Sequence, residues 1–280
     1  MPLIKTRDRT ELYVKEWGSG RPVILIHGYP LNADSFDRTA MKLADAGYRA
    51  ISYDRRGFGR SGQPWHGYDW DTYSDDLADV MQATGANSDV AIVGYSMGGG
   101  EAARYMSRHG GKGVIKIGLY ASVVPGMLKS DDNPAGHTAA DYEDIVAGIE
   151  KDAAAFYRHT FLPPFYGKGI KSALGAAHSA SDDVLEAAVY AALMGGMRAM
   201  TAMPHNFTFG DFKSDIPAIN VPTLILHGTE DKPAPIDATA RRAHKMIPSS
   251  KLIEYEGHPH GFYATNSDQM IADTIAFLKH

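Results

Sequence analysis

Short, uninterrupted apolar runs rich in valine and isoleucine alternate along this chain with stretches whose apolar positions recur every three or four residues. A run that is apolar throughout suits a strand buried on both faces, and the longer recurrence suits a helix with one buried side. The alternation predicts an α/β fold with a mostly parallel central sheet and helices on both faces. Five or six strands can be read this way: Pro22 to Ile26, Ala50 to Tyr53, Asp89 to Val93, Val114 to Tyr120, Thr223 to Leu226 and Lys251 to Tyr255. All but the last are continuously apolar or nearly so.

Between these runs, Tyr73, Leu77, Val80 and Met81 form one apolar stripe on a helix predicted to stop at Gly85. Ser267 is the expected N-cap of a last helix carrying Ile271, Ile275 and Leu278. From about Pro125 to Asp215 the strand rhythm disappears, and helical pieces such as Ile145, Ile149, Ala153 and Phe156 alternate with breaks such as Pro163-Pro164. The expected organisation is therefore a core domain of residues 1–124 and 216–280, with a helical cap, 125–215, inserted between two strands. Met194, Met197, Met200 and Met203 in the cap read either as core methionines on one helix face or as a stripe lining a substrate pocket.

Length and composition narrow the function classes. Two hundred and eighty residues at 44% hydrophobic content can bury a large core. With 28 basic and 33 acidic residues spread along the chain, no basic field exists to gather phosphates, so nucleic acid is not an expected partner. The apolar runs fall far short of the roughly 20 residues of a membrane span. Met1 to Val14 lacks the pattern of a secretory signal, and cytoplasmic location is the expectation. Cysteine is absent, which excludes disulfides, thiol nucleophiles and cysteine-based metal sites.

The candidate chemistry centres on Gly94-Tyr95-Ser96-Met97-Gly98, which follows the apolar run ending at Val93 and precedes a helical pattern from Glu101 to His109, closed by Gly110-Gly111. A tight turn between strand and helix holds a serine in a strained backbone conformation, and glycines two before and two after let the elements approach closely. Ser96 would then sit at the carboxyl edge of the sheet, where ligands of open α/β sheets bind. The plainer alternative is a serine that only caps the helix.

Serine attack on an acyl carbonyl develops negative charge on oxygen, which two pre-placed backbone N–H groups can stabilise. Met97, after the nucleophile, supplies one, and Tyr29 in the loop His27-Gly28-Tyr29-Pro30 is the expected second. His27 reads as a structural hydrogen-bonder of that loop. The serine also needs a histidine base oriented by a carboxylate, and the chain order of such a site is Ser, acid, His. Asp231, in Leu226-His227-Gly228-Thr229-Glu230-Asp231, and His260, in Glu256-Gly257-His258-Pro259-His260-Gly261, fill those roles. Glu230 and His258 are the neighbouring competitors. Two histidines without matched carboxylates or a third ligand make a poor zinc site, so no metal and no cofactor are expected. The substrate pocket is assigned to Pro30, Tyr95, Met127 and Met194.

Together, His27-Gly28-Tyr29-Pro30-Leu31, Asp54-Arg55-Arg56-Gly57-Phe58-Gly59-Arg60-Ser61, Gly94-Tyr95-Ser96-Met97-Gly98-Gly99-Gly100-Glu101 and Pro259-His260-Gly261 resemble the cofactor-free haloperoxidases, or perhydrolases, and their aryl esterase and lactamase relatives. The resemblance covers nearly the whole chain, including Asp132-Asn133-Pro134. It implies the α/β-hydrolase fold, a triad on Ser96, Asp231 and His260, and an oxyanion hole on Tyr29 and Met97. It further implies conversion of carboxylic acids and hydrogen peroxide to peracids, with which a proline at the position of Pro30 is associated, and homo-oligomers are common among such relatives. Tyr29 stands where tryptophan or phenylalanine is frequent, Tyr95 where phenylalanine is, and His258 where a small residue is usual.

The expectation is thus a serine hydrolase that cleaves small carboxylic esters, amides or lactams through an acyl-enzyme, with hydrogen peroxide as a second acceptor. The alternative is a small-molecule receptor on the same scaffold with negligible turnover.

Overall fold

The computed structural model describes residues 3–172, 175–176 and 178–279. Met1, Pro2 and His280 of the expected core, and positions 173, 174 and 177 of the expected cap, lie outside the described residues. The chain opens with β1 (Leu3–Lys5), β2 (Glu11–Trp17), β3 (Arg21–Ile26), α1 (Asp37–Asp45), β4 (Tyr48–Tyr53), α2 (Trp70–Ala83), β5 (Val90–Tyr95), α3 (Met97–Arg108) and β6 (Val114–Tyr120). It then runs through α4 (Ala139–Phe156), α5 (Leu162–Phe165), the short pair β7 (Lys171–Ser172) and β8 (Gly175–Ala176), α6 (Asp182–Leu193) and α7 (Met197–Phe209). β9 (Thr223–Gly228), α8 (Ala240–Met246), β10 (Ser250–Tyr255), α9 (Phe262–Thr265) and α10 (Ser267–Lys279) complete it.

Eight strands form one sheet in the order β1-β2-β4-β3-β5-β6-β9-β10. From β4 to β10 every pairing is parallel, and β1 and β2 add an antiparallel edge. The six predicted strands are all present. Alternate residues of the central strands supply two cores. Val23, Leu25, Ala91 and Val93 pack with α1 and α10, whereas Ile24, Ile26, Ile92 and Ile117 pack with α2 and α3. Burial on both faces is why these strands read as unbroken apolar runs.

β1 and β2 were not expected. β2 buries Leu12 and Val14 and turns Glu11 and Lys15 outward, the period-two pattern of a strand covered on one face, which a search for continuous apolar runs passes over. Ser267 is not a cap: it is the first residue of α10, its buried hydroxyl has no partner, and Met270 N–H bonds instead to the carbonyl of Asn266. Pro163 and Pro164 do not break the chain but stand in the first turn of α5, where a missing N–H costs no helical bond. Of the four cap methionines, Met200 and Met203 are core residues of α7, while Met194 and Met197 are exposed at the turn between α6 and α7.

Candidate active site

β5 runs straight into α3, and the one residue between them, Ser96, adopts φ +54° and ψ −119°. A positive φ is rare for a residue with a side chain and stores strain of order 1–3 kcal/mol, which the flanking packing must hold. That packing is tight. A Cβ on Gly94 would run into the carbonyl of Gly98, and one on Gly98 into the carbonyl of Ile26. Ser96 N–H donates to the Tyr120 carbonyl at 2.8 Å, and Ser96 O accepts from Gly99 N–H at 3.0 Å. The hydroxyl makes no capping bond to α3, so a capping role does not account for it.

The loop after β3 faces this elbow. His27 donates from Nδ1 to the Gly28 carbonyl at 2.9 Å and accepts the Arg55 N–H at Nε2 at 3.0 Å. Burial, then the neighbouring Arg55, lowers its pKa to about 3, so His27 stays neutral as a structural member of the loop. Neither Tyr29 N–H nor Met97 N–H has an acceptor among the described residues. The Tyr29 ring points into the segment between β6 and β9, where its hydroxyl meets the Tyr157 hydroxyl at 2.7 Å and donates to the Met200 carbonyl at 3.0 Å.

Behind the loop lies a buried ion pair. Arg55 Nε donates to Glu101 Oε2 at 2.7 Å, both side chains are inaccessible, and Tyr53 OH donates to the other carboxylate oxygen. Arg55 Nη2 also donates to the His27 carbonyl at 3.0 Å. The pair thus ties α3, the end of β4 and the Tyr29 loop together.

Asp231 follows β9 and His260 precedes α9. His260 Nδ1 donates to Asp231 Oδ2 at 2.6 Å, and Ala234 N–H donates to Oδ1 at 2.7 Å. Burial would raise the Asp231 carboxyl, but the charge of His260 and hydrogen bonds from His227 and His260 hold it down to about 2. Ser96 and His260 line the same cavity of about 320 Å³, walled by Val123, Met127, Ile145, Phe161, Phe165 and Phe207. Among the described residues no hydrogen bond joins Ser96 Oγ to the His260 ring. Such contacts are often long before substrate binds and tighten in the reacting complex.

The competing residues are placed elsewhere. Glu230 pairs with Lys232 at 3.2 Å. The His258 ring bonds to Thr265 Oγ1 at 3.1 Å and stacks on His178 at 4.1 Å, away from the cavity. No group of three or more histidines or carboxylates among the described residues could hold a metal ion. Nor is any described helix long and apolar enough to cross a membrane.

Of the four residues assigned to the pocket, only Met127 lines it. Tyr95 is buried behind His260 and donates its hydroxyl to the His260 carbonyl, because odd positions of β5 face the core on the α1 and α10 side. Met194 lies along a separate groove beside Tyr190 and Tyr263. Pro30 follows the Tyr29 turn and is not part of the wall. Sequence reasoning missed Thr208, a buried residue of the cavity wall, and His227, whose Nε2 is 3.0 Å from Asp231 Oδ2. Thr208 carries no local signal, whereas His227 stands four residues before the acid in the same stretch.

The His258 stack carries an acid sensitivity. Burial, then His178, lowers the His258 pKa from 6.5 to about 4. The unfolded chain therefore takes up this proton first, and stability present above about pH 6.5 is lost as pH falls toward 4. His258→Ala is expected to flatten the decline of Tm across that interval; parallel declines in the two proteins would remove the assignment.

Comparison with known proteins agrees with this geometry. Residues 20–268 match the family model described as serine aminopeptidase, S33. The non-heme chloroperoxidase CPO-A1 of Kitasatospora aureofaciens is 38% identical over 285 residues, covering 100% of each chain. The bifunctional esterase/perhydrolase DCH of Acinetobacter calcoaceticus is 34% identical over 281 residues, again with 100% of each chain covered. Among solved structures, the bromoperoxidase of Bacillus anthracis superposes with a TM-score of 0.91 at 35% identity, over 98% of this chain and 97% of that one. A strained serine at the end of β5, the sheet order around it and full-length similarity to these proteins together mean that the chain belongs to the serine hydrolases of the α/β-hydrolase fold, in the group that includes the non-heme haloperoxidases.

Proposed function

We propose that this enzyme cleaves small carboxylic esters through an acyl-enzyme formed on Ser96. The observation that carries the reading is the shared cavity, in which Ser96 on its strained turn faces a histidine whose Nδ1 is held by a buried carboxylate at 2.6 Å. Ser96 Oγ attacks the acyl carbon while His260 Nε2 takes its proton. The carbonyl oxygen becomes an oxyanion between the Tyr29 and Met97 N–H groups, each such donor being worth about 10²–10³ in rate. Collapse breaks the ester C–O bond, and His260 returns the proton to the leaving alkoxide. Water, deprotonated by the same ring, then releases the acid.

Hydrogen peroxide in place of that water gives a peracid, which oxidises halide outside the protein. The printed names of the chloroperoxidase and esterase/perhydrolase relatives support this second acceptor. A cavity of about 320 Å³ with a largely apolar wall suits a short acyl chain or single ring. We divide the chain into a core of residues 1–124 and 216–280 and a cap of 125–215, since α4 to α7 all fall between β6 and β9.

Activity on p-nitrophenyl acetate is the expected result, together with bromide oxidation in acetate plus peroxide. Hydrolysis of a γ-lactam measures the reach toward amides. No turnover in any of the three assays would overturn the acyl-transfer reading.

A further inference from the structure

Asp231 is held by more than the two partners that a triad requires. His227, fully buried at the end of β9, places Nε2 at 2.8 Å from the Ala234 carbonyl and 3.0 Å from Asp231 Oδ2. Both neighbours only accept, so the proton sits on Nε2, directed at the Ala234 carbonyl, with Oδ2 beside it as a second, less aligned acceptor. Ala234 in turn donates its N–H to Asp231 Oδ1 at 2.7 Å. His227, Ala234 and the carboxylate therefore close a ring, and Oδ2 lies between two imidazoles, His227 on one side and His260 at 2.6 Å on the other.

This arrangement has a cost. His227 Nδ1 is buried without a hydrogen-bond partner, a penalty that an apolar side chain of similar size would avoid. The useful part of the ring is thus the Nε2–H, and its effect on Oδ2 is definite. An N–H dipole 3.0 Å from that oxygen offsets part of the carboxylate's charge, steadies the plane of the carboxyl group, and weakens its pull on the proton at His260 Nδ1.

We propose that His227 is a positioning residue for the Asp231–His260 pair, aiming Oδ2 at Nδ1 and tempering the carboxylate so that His260 gives up its proton readily. The inference rests on the triad reading above, and acts through Asp231 without touching substrate. Without the Nε2–H, Asp231 carries its full charge against the ring, the imidazolium is favoured, and the unprotonated base appears only at higher pH.

The test is the pH profile of kcat/KM for p-nitrophenyl acetate in the full-length enzyme, His227→Leu and His227→Gln. His227→Leu is expected to move the ascending limb up by about one pH unit, since one charge-assisted donor is lost. It should also lower kcat, with KM within about twofold because ground-state binding is untouched. His227→Gln, whose amide can reach Oδ2, restores the position of the limb. If His227→Leu does not fold, His227→Asn, too short to reach Oδ2, takes its place with the same expectation. A loss of kcat at every pH with the limb unmoved, or a glutamine variant no better than the leucine one, would overturn the proposal. Fluorophosphonate labelling of the unsubstituted protein that persists in Ser96→Ala would instead overturn the triad reading, so the two failures are distinguishable.

Discussion

Replacing Ser96 with alanine is expected to abolish labelling by a fluorophosphonate probe and to lower kcat for p-nitrophenyl acetate by on the order of 10⁴-fold or more, as removal of a triad nucleophile does elsewhere. The hydroxyl makes no hydrogen bond that the fold depends on, and alanine at φ +54° carries the same strain as serine. Thermal unfolding should therefore change little, which separates a chemical loss from a structural one. Retained labelling and turnover would place the nucleophile elsewhere. The remaining rate should still exceed that of water alone, because two unengaged N–H groups at Tyr29 and Met97 would continue to polarise a bound carbonyl.

The second large effect is on stability. Glu101→Leu leaves the Arg55 guanidinium buried beside Tyr73 without its carboxylate, and the expected cost is about 3–5 kcal/mol in urea unfolding. The double variant Arg55→Met with Glu101→Leu should recover much of that loss, because the penalty comes from an unpaired charge and not from the absence of the pair. Activity should not recover with it, since Arg55 also holds the His27 carbonyl and so the course of the Tyr29 loop. A double variant that is as active as the unsubstituted enzyme would show that the pair contributes to folding alone.

What the sequence revealed follows the physics of burial. Strands covered on both faces must be apolar at every position, so β3, β5 and β6 stand out as runs, whereas β2, covered on one face, hides its two inward residues among charges. Asp231 and His260 were legible because they stand after late strands in a fixed chain order, and the structure brings their side chains to 2.6 Å. The pocket wall was not. Met194 and Tyr95 were chosen for chemistry and proximity in sequence, but which way a side chain faces depends on the register of β5 and the rotation of α6 against the core. Phe161 and Phe165 stand four residues apart on one continuous helical stretch and Phe207 enters from α7, and no local pattern encodes that these two distant segments converge on one cavity.

Tyr29 belongs to both halves of the molecule: its amide nitrogen sits on the loop facing the nucleophile, and its phenol is anchored to Tyr157 and Met200 in the segment overhead. Transplanting that segment from a homologue to change substrate range would therefore also disturb the anchoring of the loop proposed to bind the oxyanion. Broadened specificity and diminished turnover should arise together in such chimaeras unless the two phenol contacts are carried across with the graft.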